Sequence, residues 1–335
     1  MQNRSEGILR AINNTSGKFN ILTFPTHEAY QSNLGKLPHT FYMWQGKGIK
    51  GWNSNFRQLP ANHVLLDGTE NQIRPDMKFD IVLSQNKFGQ FAIADQIAAS
   101  LNIPLISIEH TLPVPQWNQK YRNELLNMRG KVNVFISEYS INQWGFDSND
   151  PTVRTVHHGI DSKTFAPALS KGNLSGSILT VVNDYINRDW CCGWSIYQRI
   201  ANGLPTTPVG DTKGFSKPAG SVKELVSFYQ NASVFLNTST ISPVPTALME
   251  AMACGCPVVT TATCMIPEIV KDGVNGFISN DEDYLRMRLQ WCLSNPEEAA
   301  KIGQAARETI VERFSLDGHL TKWDNIFKEV VGTGY

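Results

Sequence analysis

Short apolar runs alternate with segments of helical period along most of the chain. In the first half the runs fall at 19–24, 40–44, 63–67, 80–85, 104–110, 132–137 and 153–159, and each predicts a strand. Helices lie between several of them. In 89–102 the residues Phe91, Ile93, Ala94, Ile97 and Ala98 recur near the 3.6-residue period. Near-continuously apolar strands joined by helices predict a parallel sheet covered on both faces, so the first domain reads as doubly wound α/β. The pattern pauses at "APALSKGNLSGS", 166–177, whose Gly/Ser content predicts a linker.

Beyond the linker the alternation restarts. Apolar runs at 178–184, 207–211, 233–239, 257–262 and 275–279 predict strands, and 192–202 and 221–232 predict helices. A further ordered segment is "IPEIVKDG", 266–273, and everything from about 281 reads helical, with 295–314 opening on Asn295 and Pro296. The expected division is a first domain 1–165, the linker 166–177, a second domain 178–315, and a last helix 316–335 placed back on the first domain. Ligands of open α/β sheets bind at the carboxyl ends of strands, so the expected site is a cleft where two such sheets face each other.

The 335 residues exceed one ordinary core and suit two. Lys plus Arg balance Asp plus Glu at 30 each, so no global field draws the chain to nucleic acid or an acidic membrane. No apolar run reaches the ~18 residues of a membrane span, and the first residues lack a basic-then-apolar leader. The expectation is a soluble cytoplasmic protein. All six cysteines, Cys191, Cys192, Cys254, Cys256, Cys264 and Cys292, lie in the second half, several inside apolar runs, as thiols packed like small hydrophobes in a reducing compartment. Neither the Cys191–Cys192 pair nor Cys254-x-Cys256 has the spacer and histidine partners of a zinc site, so no metal is expected.

The stretch "PVPTALMEAMACGCPVV", 243–259, carries the densest chemistry. Pro245 suits a helix start and Gly255 a helix end, with Leu248, Met249 and Met252 facing the core. Packing leaves Glu250 unexplained, because a carboxylate among Leu, Met and Ala is costly to bury without donors. The polar lip 237–243 precedes this helix start. Amides at Thr246 and Ala247, with the helix dipole, suit a phosphate, and Glu250 one turn inward suits the two hydroxyls of a ribose.

Here the chain resembles a known family. The run 233–277, with its glutamate in "LMEAMACGCPVV" followed by "PEIVKDGVNGF", and "VHHGIDSKTFAP" at 156–167, are similar to the GT-B glycosyltransferases of family-4 type. The likeness is good over 153–330 and weaker before it, where "SIEHT" at 107–111 corresponds. It implies two Rossmann-like domains facing across a cleft, C-terminal helices, and retaining transfer from a nucleotide-sugar. It further implies that Glu250 holds the ribose and that the amides of Thr246 and Ala247 meet the diphosphate.

Two departures stand out. The family's first glutamate falls on Ser242, which in the family faces the donor sugar. Its Arg and Lys after the first strand of the second domain fall on Asn187 and Cys192. Arg188, one residue away, becomes the expected cation, against a surface pairing with Asp184 or Asp189; Lys213 is a second. Asn183, at the end of strand 178–184, joins the donor-binding set. In the first domain His110 ends a strand where relatives often carry a histidine near the reacting sugar. His27 and Glu28 replace the family's Gly-rich loop, either as acceptor or phosphate contacts or as helix-capping residues, and His157 and His158 read as structural.

Such transferases offset the leaving diphosphate with a helix end and basic side chains, so transfer without a metal is expected. Three alternatives stay open: a nucleotide-sugar epimerase, a non-catalytic nucleotide-sugar binding protein, and a transferase with a nucleic-acid acceptor. The last rests on 29–66, which has no Asp or Glu and interleaves Lys36, Lys47, Lys50 and Arg57 with Phe41, Tyr42, Trp44, Trp52 and Phe56. That pattern suits a phosphate backbone with stacked bases, saccharide rings, or plain strand core.

Overall fold

A computed structural model describes residues 17–46, 48–54, 57–66, 73, 77–87, 89–114, 116–169, 176–242 and 244–332. The chain forms two compact units, one running to His157 and resuming at His319, the other spanning His158–Gly318. Residues 158–165, which the sequence pattern grouped with the first domain, thus go with the second unit. Two contacts within that unit show why. Ile160 bridges to Ser315, and the Arg307 guanidinium donates to the Phe165 carbonyl at 3.3 Å.

The first unit holds a seven-stranded parallel sheet. Its strands are β1 (Asn20–Thr23), β2 (Thr40–Trp44), β3 (His63–Leu66), β4 (Ile81–Ser84), β5 (Leu105–Glu109), β6 (Val132–Phe135) and β7 (Val153–Thr155), in the order β3-β2-β1-β4-β5-β6-β7. The central strands β4, β5 and β6 are buried at every position, which is why they read as unbroken apolar runs. Helix Phe91–Leu101 buries Phe91, Ala94 and Ala98, three of the positions its period predicted. Helices Glu28–Leu34, Gln119–Leu126 and Glu138–Gln143 are short and polar, and their apolar period was too weak to name them from sequence. The last helix, Leu316–Gly332, enters this unit: the Trp323 indole N–H donates to the Tyr30 hydroxyl at 2.7 Å.

The second unit holds a five-stranded parallel sheet of β8 (Ile178–Val181), β9 (Thr206–Val209), β10 (Val234–Asn237), β11 (Val258–Thr260) and β12 (Phe277–Ile278), in the order β12-β11-β10-β8-β9. The expected helix at 192–202 is two helices, Asp189–Cys192 and Trp194–Ile200, broken at Gly193. Segment 266–273 contains the short helix Ile266–Ile269. Helices Glu282–Ser294 and Pro296–Arg313 follow as the pattern predicted. Strand order reverses between β1 and β4 in the first sheet and between β8 and β10 in the second, which places a ligand crevice at the carboxyl ends of each pair.

Candidate functional site

At the reversal point of the second unit, two glycines bring backbones into contact. Gly193 has φ +73°, and a β-carbon there would lie 2.0 Å from the Thr238 carbonyl oxygen; at Gly210, φ +130°, it would lie 2.0 Å from that of Val182. Both positions therefore admit glycine alone. The approach lets the carbonyls of helix Asp189–Cys192 hold the loop after β10. Thr240 N–H donates to Cys191 O at 2.9 Å, Thr238 Oγ1 to Cys192 O at 3.0 Å, and Thr240 Oγ1 to Trp190 O at 3.0 Å. Tyr185 Oη bonds to Thr238 Oγ1 beneath.

The polar lip is thus largely spent on itself. Asn237 Nδ2 donates to Thr260 Oγ1 at 2.8 Å, Ser239 Oγ to Asn237 Oδ1 at 2.8 Å, and Thr261 and Thr263 hydroxyls both donate to Ser239 O at 2.6 Å. Its side chains serve to fix the helix start.

Helix Thr246–Ala253 begins with Pro245 at the N-cap and no side-chain cap. The expected pair of free amides is corrected at one position. Thr246 N–H donates to Val244 O at 3.0 Å, because the turn through Pro245 folds back on itself. Among the described residues the amides of Ala247 and Leu248 have no hydrogen-bond partner, so the anion-seeking pair lies one residue further along. Ser242 sits half-buried in the loop just before.

Glu250 is half-buried, and its Oε2 accepts from the Tyr229 hydroxyl at 3.0 Å. Tyr229, on helix Val222–Asn231, is 1% exposed, and burial followed by the Glu250 charge raises its hydroxyl pKa. Sequence reasoning missed this partner, since a tyrosine on an apolar helix face carries no mark of its contact.

Asn183 and Arg188 lie on the loop after β8, and Lys213 on the loop after β9. Asn183 Oδ1 accepts from Asp211 N–H at 2.9 Å, and Arg188 Nη1 reaches Asn183 O at 3.5 Å. The rival pairing of Arg188 with its neighbours does not form. Asp184 accepts from Asn187 Nδ2 at 2.7 Å, and Asp189 is taken by the Ser195 amide and hydroxyl at 2.8 and 2.6 Å. Among the described residues no carboxylate lies within 4 Å of the Arg188 guanidinium, and both Arg188 and Lys213 are exposed.

In the first unit His110 follows β5 and packs edge to face with Tyr30 at 4.6 Å and near His27 at 5.9 Å. Burial, then the charges of His27 and His319, lowers its pKa to about 3, so the ring is neutral at ordinary pH. Its backbone is clamped: Glu109 accepts from the Thr111 amide at 2.9 Å and hydroxyl at 2.7 Å, spanning the histidine. His27 caps helix Glu28–Leu34 through Nδ1, which accepts from Tyr30 N–H at 3.2 Å. Glu28 pairs with Lys50 at 2.8 Å and accepts from Asn53 N–H at 3.3 Å. Of the two readings for His27 and Glu28, these contacts supply the capping and packing one.

The 29–66 segment divides similarly. Phe41 is buried, Tyr42 and Trp44 pack on the core around Leu22 and Val82, and Lys50 is held by Glu28. Lys47 and Phe56 lie outside the described residues. Among the described residues no cluster of three or more metal-ligating side chains occurs, all six cysteines are free thiols, and no helix is long and apolar enough to cross a membrane.

Residues 216–309 match the family model of glycosyl transferases group 1, covering the helix start, Glu250 and Tyr229. This part of the chain is similar to the group 1 glycosyl transferases. The chain is 33% identical over 106 residues to the alpha-maltose-1-phosphate synthase of Mycolicibacterium smegmatis, a match covering 29% of this chain and 27% of that protein. It is 35% identical over 116 residues to the putative colanic acid biosynthesis glycosyltransferase WcaL of Escherichia coli, covering 32% and 28%. The matched stretch thus spans about a quarter of these relatives' lengths.

Likeness of fold extends much further than likeness of sequence. HepE of Anabaena in complex with UDP superposes with a TM-score of 0.74 at 14% identity over 93% of this chain and 100% of that one. Sucrose-phosphate synthase from Thermosynechococcus elongatus gives 0.74 at 14% identity over 94% and 100%. The matched segment therefore sits in a chain with the GT-B fold.

Proposed function

We propose that the protein is a glycosyltransferase that moves a sugar from a nucleotide-sugar donor to an acceptor hydroxyl, a saccharide hydroxyl in the favoured case. The observation that carries this is the start of helix Thr246–Ala253, where the unpartnered amides of Ala247 and Leu248 lie one turn from a half-buried glutamate, inside the segment that matches the group 1 family. A diphosphate on the amides and a ribose diol on Glu250 match that order of groups. The ribose diol is assigned to the Glu250 carboxylate, beside the Tyr229 hydroxyl whose hydrogen bond Oε2 accepts.

In the proposed reaction, the bond from the sugar's anomeric carbon to the diphosphate breaks and a bond to the acceptor oxygen forms. Charge grows on the departing diphosphate, and the helix end and the Arg188 guanidinium stabilise it more strongly there than in the bound donor. Lys213 on the neighbouring loop adds a second positive charge. No side chain replaces the family's first glutamate at Ser242 with a charge, so the donor sugar is held by the Ser242 hydroxyl. Transfer proceeds with retention and without a metal, the leaving phosphate taking the acceptor proton. Complex with UDP in the HepE structure supports a uridine nucleotide as the first donor class to try.

A thermal-shift panel of nucleotides and nucleotide-sugars tests the reading. A cognate nucleotide at about 100 times its dissociation constant stabilises by about 2.7 kcal/mol. A flat panel across uridine, guanosine, adenosine and cytidine diphosphates and their sugars overturns it, and turnover of the donor with no acceptor present points to the epimerase alternative instead.

A further inference from the structure

Cys191 and Cys192 occupy adjacent positions in the four-residue helix Asp189–Cys192, and their sulfurs lie 3.7 Å apart. We infer that this pair is a chelating dithiol site for a trivalent, thiophilic metalloid, and that occupation of the site disrupts the donor lip. The coupling to the lip rests on the proposed function; the dithiol site stands on its own geometry.

The spacing selects the kind of bridge. Two bonds of about 2.3 Å from sulfur to one shared atom, meeting at the roughly 100° of a pyramidal trivalent centre, span about 3.5 Å, so the observed 3.7 Å closes by a few tenths of an ångström. A disulfide does not fit as well. Neighbouring α-carbons across a trans peptide are about 3.8 Å apart, short of the roughly 4.4–6.8 Å that disulfides use, and the chain here has no cis peptide. A bridge of one atom fits the existing backbone.

Protonation selects the ligand. Burial pushes the Cys192 thiol up to about 12, with Arg188 working in the opposite sense. A divalent cation binds as thiolate complexes and must displace both thiol protons to solvent. An arsenical of the form R–As(OH)₂ takes the two thiols directly: it forms two As–S bonds and releases two waters carrying the thiol protons, with no change of oxidation state.

Access and consequence follow from the same contacts. The two residues are 3% and 7% exposed, so capture requires the surrounding lip to open. That lip is held by the backbone carbonyls of Trp190, Cys191 and Cys192 through Thr238 and Thr240. Drawing the sulfurs together under a bulky aryl group displaces those carbonyls and, with them, the approach to Thr246 and Arg188.

Phenylarsine oxide with the folded full-length chain tests this. Intact mass is expected to show a single phenylarsenic adduct, peptide mapping to place it on Cys191 and Cys192, and release to follow a small dithiol but not a monothiol. Cys192→Ser is expected to abolish the adduct, while Cys254→Ser and Cys256→Ser retain it. A bound nucleotide at about 100 times its dissociation constant is expected to slow capture roughly 100-fold, since it holds the lip closed. An adduct mapped to Cys254 and Cys256, or one formed only after denaturation, overturns the site. An adduct on Cys191 and Cys192 whose formation a tightly bound nucleotide does not slow leaves the dithiol standing and overturns its coupling to the lip. Failure of every nucleotide to bind removes the proposed function and leaves the mapping result to decide the dithiol alone.

Discussion

The two units share one plan and finish their strand ends in opposite ways. In the first, the carboxyl ends of β1, β4 and β5 are closed over by side chains that satisfy one another. Gln85 Nε2 donates to Thr23 Oγ1 at 3.1 Å and Gln31 Oε1 at 2.6 Å, and Tyr30 is packed by His110 and His319. In the second, side chains are spent on bracing the loops, and what faces outward is backbone amide, one half-buried carboxylate and exposed cations. Bracing with buried hydroxyls and two obligatory glycines lets amides be presented without side-chain caps, which a phosphate then satisfies. A recognisable family pattern therefore lies in the second unit, where backbone geometry restricts the sequence. Many side-chain sets can fill a closed strand end such as that of the first unit.

Four experiments break or sharpen this contrast, taken by size of effect. Arg188→Ala is expected to cut kcat by at least ~100-fold, the usual cost of one electrostatic donor to a developing charge, with nucleotide affinity much less altered. Lys213→Ala in the same assay is the comparison; a dead Lys213 variant beside a near wild-type Arg188 variant moves the cation to the β9 loop.

Glu250→Gln removes one charge-assisted acceptor, about 1.5–3 kcal/mol, so nucleotide affinity measured by calorimetry is expected to fall roughly 10- to 150-fold with the fold kept. Unchanged affinity takes Glu250 out of the site.

Acid is expected to separate the units. Burial holds His63 and His319 in the first unit down to about 4 from an ordinary 6.5, and His110 to about 3. The unfolded chain takes up these protons first, so the first unit is fully stable above about pH 6.5 and loses on the order of 3 kcal/mol for each of His63 and His319 as pH falls to about 4. The second unit contains a single histidine, His158. Limited proteolysis at stepped pH checks this; first cuts between 158 and 318 contradict it.

The smallest expected effect is none at all. Turnover in excess EDTA is expected to match turnover with added Mg²⁺ or Mn²⁺, since helix end and cations offset the diphosphate. Loss on chelation with rescue by one divalent ion overturns the metal-free mechanism.

Much of this was legible in the chain. The strands of both sheets follow from apolar runs, and the helix bearing Glu250 from Pro245, Gly255 and the residues between, because period and punctuation are local properties. The short helices Gln119–Leu126 and Glu138–Gln143 were not legible, since each buries only one or two residues and so shows no period. Thr246 was expected to offer a free amide. Only the turn geometry shows it spent on Val244, as local propensity carries no record of where a proline turn directs its carbonyl.

By itself the sequence determined the α/β class, the order of strands and helices, and the glutamate beside a phosphate-fitting helix start, all of which depend on residues near one another in the chain. The tertiary structure decided which polar groups remain available. Asp184 and Asp189 look like partners for Arg188 in sequence, yet Asn187 and Ser195 take them and leave the guanidinium without a carboxylate. Glu250 looks isolated among apolar neighbours, yet Tyr229, on a different helix, meets it. The physical reason is common to both. A hydrogen-bonding group is used up by whatever the fold brings within about 3 Å, and that neighbour is set by packing across the sheet, over separations that no local pattern encodes.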